Sequence, residues 1–212
     1  MKINQKRLFT TLSLFSLLAL MPMGCNLFCH NSCGCGPIPE PYLLVVQSFA
    51  TETVDETGTE TPETEMKPFD QVFKSLRIEE YELHTQSMIE SPGFSSFGTA
   101  LACDPLPPET EDILYLIQII NQTEFTLIDG TTFSEGDNIS ALFGMSHLYA
   151  PGLSTIKNFM APGLKLTVED YFKIGFLENP EKELNLKFTI QLVFDNAREH
   201  LLTDQVLNVR QP

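Results

Sequence analysis

The stretch from Leu184 to Phe194 constrains the fold more than any other part of the chain. Leu184, Leu186, Phe188, Ile190, Leu192 and Phe194 fall on one side, and Asn185, Lys187, Thr189 and Gln191 on the other. Only Val193 breaks the alternation. Period two is the pattern of a β-strand with one buried face, because successive side chains leave a strand on opposite sides. Such a strand cannot stand alone, since its apolar face needs a second layer. Leu164 to Leu177 precedes it across Glu178-Asn179-Pro180-Glu181, and Leu201 to Arg210 follows across Asp195-Asn196-Ala197-Arg198. Three strands joined by short polar turns predict a meander. The economical architecture is an all-β, antiparallel β-sandwich of about seven strands.

The rest of the chain fits one such domain, residues 42–212, without an internal repeat. Tyr42 to Phe49, with Leu43-Leu44-Val45-Val46 at its centre, is apolar on both faces and is expected inside a sheet. Ile113 to Ile120 has the same character and predicts a central strand. Leu76 to Ile89 alternates as a strand with one wet face. Asp129-Gly130 within Phe125 to Phe133 signals a hairpin. Asn138 to His147 predicts a short helix capped by Asn138 or Ser140. Ser91 to Gly98, the proline-rich Ala102 to Pro108, and the Pro151-Gly152 and Pro162-Gly163 region read as irregular connections. Thr51 to Glu65 holds six acids and six threonines in fifteen residues and is expected to be a solvated loop. Clustered carboxylates also suit calcium, but the D-x-D-x-D-G grammar of such loops is missing.

The first residues give an address. Lys2, Lys6 and Arg7 precede an uncharged run of thirteen residues, Leu8 to Leu20. As a helix this run spans about 20 Å, short of the roughly 30 Å of a bilayer's hydrocarbon core. The order of basic end, apolar middle and small residue before a cut is that of a secretory signal. Met21-Pro22-Met23-Gly24-Cys25 then resembles a bacterial lipobox, with Pro22 where Leu is usual. The resemblance implies removal of residues 1–24 as signal peptide and acylation of Cys25. Residues 25–41 would then be a lipidated, Cys-rich tether holding the chain on a membrane, which needs more than one acyl chain.

That resemblance bears on the cysteine count. Of Cys25, Cys29, Cys33, Cys35 and Cys103, acylation of the first leaves four in a compartment that permits disulfides. Pairing Cys33 with Cys35 would close a very small, strained ring. The remaining schemes join Cys103 to Cys33 or to Cys35, with Cys29 taking the other, and Cys35–Cys103 is favoured because Cys29–Cys33 then closes a comfortable local loop. A long-loop crosslink of this kind contributes roughly 2–4 kcal/mol. The competing reading is a soft metal site of Cys29, His30, Cys33 and Cys35, but the paired C-x2-C spacing of zinc knuckles is absent, and no metal or cofactor is expected.

Taken together, the lipobox ending at Cys25, the run Cys33-Gly34-Cys35-Gly36-Pro37, the segment Ala102-Cys103-Asp104-Pro105 and the C-terminal strands resemble uncharacterised lipoproteins common in Bacteroidetes. The resemblance implies an immunoglobulin-like sandwich in the cell envelope and supplies no activity. Asn26-Leu27-Phe28 lacks the acids associated with surface export in that phylum, so it implies an outer-membrane lipoprotein facing the periplasm.

Charge and motifs narrow the function classes. Loss of residues 1–24 removes three cations and no acid, taking the net charge from −15 to −18. Such a surface repels phosphates and argues against nucleic-acid binding. Neither phosphate-cradling glycine motif occurs. The four histidines, His30, His84, His147 and His200, are scattered, and Ser146-His147 lacks a G-x-S-x-G elbow. Glu79, Glu80 and Glu82 include the two acids that glycoside hydrolysis needs, but fit the wet face of a strand better. The sequence therefore predicts a non-enzymatic binding or structural module with a protein or glycan partner and no catalytic residues. The alternative is a periplasmic hydrolase in which at least two of Glu79, Glu80, Glu82, His84, His147 and nearby serines converge in a pocket.

Overall fold

In the computed structural model, which describes residues 42–84, 106–161 and 163–210, the alternating run Leu184–Phe194 is one unbroken strand. In chain order the elements are β1 (Leu43–Ala50), β2 (Thr53–Val54), β3 (Lys67–Pro68), β4 (Phe73–His84), β5 (Glu109–Thr110), β6 (Leu114–Asn121), β7 (Phe125–Thr126), β8 (Thr132–Phe133), β9 (Phe143–His147), β10 (Ser154–Thr155), α1 (Ile156–Met160), β11 (Tyr171–Phe176), β12 (Leu184–Phe194) and β13 (Glu199–Arg210). Among the described residues, seven strands reach five residues or more. The larger sheet runs β10-β9-β11-β4-β1-β5, with β2 also on β4, and the smaller runs β3-β13-β12-β6. Pairing is antiparallel except for the two-residue contacts of β5 with β1 and β3 with β13.

The sheets share one core, which makes the fold an all-β sandwich. Leu44, Leu76, Phe172 and Ile174 from the larger sheet pack in one cluster with Ile119, Leu186, Phe188 and Leu207 from the smaller. Phe143 carries much of the join, 4.8 Å from the Phe176 ring and 5.5 Å from Phe188. Full burial of such side chains contributes about 1.5–3 kcal/mol each before chain entropy is set against it.

Several expectations need correction. Within Leu164 to Leu177 only Tyr171–Phe176 is a strand, and it sits between β9 and β4 in the larger sheet, so the meander reduces to the hairpin of β12 and β13. Phe172 through Phe176 are buried without a break, so this segment requires cover on both faces. The strand of Ile113 to Ile120 is the outermost of its sheet, not a central one. Part of its outer edge is met by the chain around Asn138 and Leu164, which form isolated bridges to Ile120 and Leu114.

The strand in Leu76 to Ile89 begins earlier, at Phe73. It is buried through Leu76 and exposed from Glu79 to His84, rather than alternating over that part, and residues 85–89 of the expected strand lie outside the described residues. Ser140–Leu142 is only a 3-10 turn, although the Asn138 side chain does accept from the Ser140 amide at 2.9 Å, and the chain then extends into β9. The acidic loop is not wholly solvated, since Thr53 and Val54 are buried in β2 against β4. The hairpin at Asp129-Gly130 is present, with Gly130 at φ +87° in its turn.

Strands β1 and β4 fix two further placements. Leu43 is in register with His84 on one side and Glu109 on the other, so the chain enters, leaves and returns at one end of the larger sheet. On β4, Lys74 is fully buried on the core side opposite Ile174, its ammonium held by Glu63 at 2.6 Å and Thr53 at 3.0 Å.

Candidate functional site

The residues a hydrolase would need stay apart. Glu79, Glu80, Glu82 and His84 lie along the exposed outer half of β4. His84 pairs with Glu111 at 2.9 Å, and Glu79 accepts from Ser48 at 3.2 Å. His147 ends β9, its ring 5.1 Å from Phe172 and 5.5 Å from Phe159. The Ser146 hydroxyl donates to the His147 backbone carbonyl and not to the imidazole, so no nucleophile–base pair forms there. In the acidic loop, Asp55 is occupied internally: its carboxylate accepts from the Thr57 amide and hydroxyl and the Thr59 amide at 2.6–3.0 Å. These bonds, the Thr57 hydroxyl first, hold its pKa below the ordinary aspartate value. Cys25, Cys29, Cys33, Cys35 and Cys103 lie outside the described residues.

Two concavities lie elsewhere, and none of those five Glu and His residues lines either. The larger is an apolar groove of about 780 Å³ running beside β6, between Tyr115–Gln118 and the segment holding Ser140, α1 and Gly163. Its construction follows from β6 being outermost. Leu114 exchanges backbone bonds with Leu164 at 2.9 Å, and Ile119 donates to the Ser140 hydroxyl and accepts from the Ile139 amide, each at 2.8 Å. The alternation of the ladder turns the N–H and C=O of Ile117 into the groove between those two anchor points, without a backbone partner there among the described residues. Ile117 and Phe143 form the apolar floor, Tyr115 is half-exposed at the rim, and Lys157 is the single charged residue in the lining.

The second concavity, about 600 Å³, opens on the outer face of the larger sheet. Phe73 and Lys173 project there, away from the core, and Val54, Phe73 and Leu148 form a small apolar cluster beside it. The Lys173 ammonium lies 5.1 Å from the Phe73 ring centroid, and burial pushes its pKa down, with Glu56 opposing weakly. Sequence reasoning missed both sites. The available signal for the second was a lysine inside the apolar run Tyr171–Phe176; for the first there was none, because the sheet order that makes β6 an edge cannot be read from its own residues.

The chain matches no family model and no curated protein. Among solved structures, it is similar to the C-terminal domain of the antigen I/II polypeptide BspA of Streptococcus agalactiae, at 13% identity over 77% of this chain and 50% of that one, with a TM-score of 0.27. It is also similar to the C-terminal domain of the antigen I/II-family protein AspA of Streptococcus pyogenes, at 14% identity over 78% and 47%, with a TM-score of 0.25. The chain thus spans about half the length of the solved structures it matches.

Proposed function

We propose that this chain is a non-enzymatic binding module of the cell envelope, anchored through acylated Cys25 and facing the periplasm, which takes an extended peptide segment of a protein partner into the groove beside β6. The observation that carries the reading is the groove itself: an apolar trough alongside a strand whose outward backbone rung at Ile117 has no partner among the described residues. Strand addition uses this arrangement, with main-chain hydrogen bonds supplying affinity and side-chain pockets supplying selectivity. The separation of Glu79, Glu80, Glu82, His84 and His147 supports a binder over a hydrolase.

The signal-like Lys2 to Leu20 stretch and the lipobox-like Met21 to Cys25 support the anchor. The register of Leu43 with both His84 and Glu109 supports the proposed crosslink, because Cys35 lies eight residues before Leu43 and Cys103 six before Glu109.

The test is capture of partners from native envelope with the full chain and with Ala161→Arg, which puts a charged side chain at the exposed groove rim. A protein retained by the first and lost with the second supports the reading; equal recovery overturns it. Intact mass of the membrane fraction reports acylation at Cys25, and an unmodified, freely released chain refutes the anchor.

A further inference from the structure

The outer-face concavity holds a combination that calls for a ligand of its own. Lys173 is 5% exposed, yet no ion pair or hydrogen bond engages its ammonium among the described residues; the Phe73 ring centroid lies 5.1 Å away, and the exposed Glu56 acts on it only through longer-range attraction. A buried cation without a counter-ion is costly. Lys74 on the neighbouring strand shows the satisfied alternative, with Glu63 at 2.6 Å. Lys173 sits instead in the wall of a cavity of about 600 Å³, the size of a small-molecule site. Its walls are apolar, with Phe69, Phe73 and Phe176 among them, while Glu56 and Asp70 line it as exposed acids.

We propose that this cavity binds a small zwitterion with an apolar side chain, of the α-amino-acid type, its carboxylate on Lys173, its ammonium toward Glu56 and Asp70, and its side chain against the phenylalanines. The charges select the class. A simple anion would meet the two carboxylates, and a simple cation would meet the buried ammonium. A molecule with both charges satisfies each, and the walls reward an apolar body. This site shares no lining residue with the groove beside β6, so its failure and that of the peptide reading are separate results.

Calorimetry with the full chain in detergent tests it, using L-phenylalanine, phenylalaninamide, which lacks the carboxylate, and N-acetylphenylalanine, which lacks the ammonium. The expected result is saturable binding of L-phenylalanine, with both analogues and the Lys173→Met variant weaker by about tenfold or more, the size expected for loss of a charge-assisted hydrogen bond. No saturable binding of L-phenylalanine, or equal binding of the amide or by Lys173→Met, overturns the proposal. Should Lys173→Met fail to fold, Asp70→Asn and Glu56→Gln at the exposed mouth decide: together they must weaken L-phenylalanine by severalfold, and unchanged affinity sinks the zwitterion assignment.

Discussion

The imidazole of His200 stands edge-on to the ring of Phe49, centroids 5.2 Å apart at 81°, and meets Phe194 in the same manner at 5.8 Å and 74°. One histidine on β13 thus bridges aromatic residues of both sheets. Its Nε2 is buried without a hydrogen-bond partner among the described residues, and burial, then the nearby Arg198, holds its pKa below the ordinary histidine value. The folded chain therefore binds fewer protons than the unfolded chain once pH falls below about 6.5, so stability is fully present above about pH 6.5 and is lost as pH drops from there toward the depressed folded value. Urea midpoints across pH 7.5 to 4.5 should fall less steeply for His200→Leu than for the natural chain. Parallel curves would remove His200 from the acid sensitivity.

Lys74 and Glu63 make a graded test of a buried charge. The lysine side chain is 1% exposed and the glutamate 54%, so the two ends carry different costs. Glu63→Ala leaves the ammonium with Thr53 alone and should destabilise by about 1–3 kcal/mol. Lys74→Met removes the need for a partner and should cost less, and adding Glu63→Ala to it should change little. Denaturant titration of the four proteins gives the coupling, and additive effects would contradict it.

Gly144 marks a close approach between β9 and β10. A Cβ there would stand 2.8 Å from the backbone oxygen of Ser154 and 2.8 Å from the Leu153 Cβ, neither the end of a flexible side chain. Gly144→Ala should therefore cost at least about 1–3 kcal/mol by overpacking. A thermal midpoint equal to that of the natural chain would show that β10 can move away freely.

Ser140 gives the Ile119 amide its acceptor at the closed end of the groove. Ser140→Ala leaves that donor unpaired in a part-buried position and should destabilise by about 1–3 kcal/mol, with faster amide exchange at Ile119. Unchanged exchange would argue that water or another oxygen replaces the hydroxyl.

How much of the fold is legible in the sequence depends on whether local pattern or sheet order decides the outcome. β12 is fully legible because a single buried face imposes period two, and Val193, the exception, is also buried where the register with β6 shifts. The hairpin at Asp129-Gly130 is legible because its turn demands a positive φ. β11 departs from the expected meander, since polar turns tell that strands are sequential and not that they share a sheet. β6 lies at an edge and not at the centre, because apolar residues on both faces tell that the faces are covered and not what pairs along the edges, one of which is met in part by the chain around Asn138 and Leu164. Lys173 stands out in the sequence as a lysine inside an apolar run, but it becomes a site only once the fold sets it over Phe73.

The alignment of Leu43 with both His84 and Glu109 has a mechanical side. A pull applied at Leu43 along the axis of β1 would meet rungs to β4 that lie across that axis, so the load would be spread over the ladder in shear instead of opening it one rung at a time. Resistance to extraction then rests on the unfolding rate of the whole strand pair, not on the strength of any single bond.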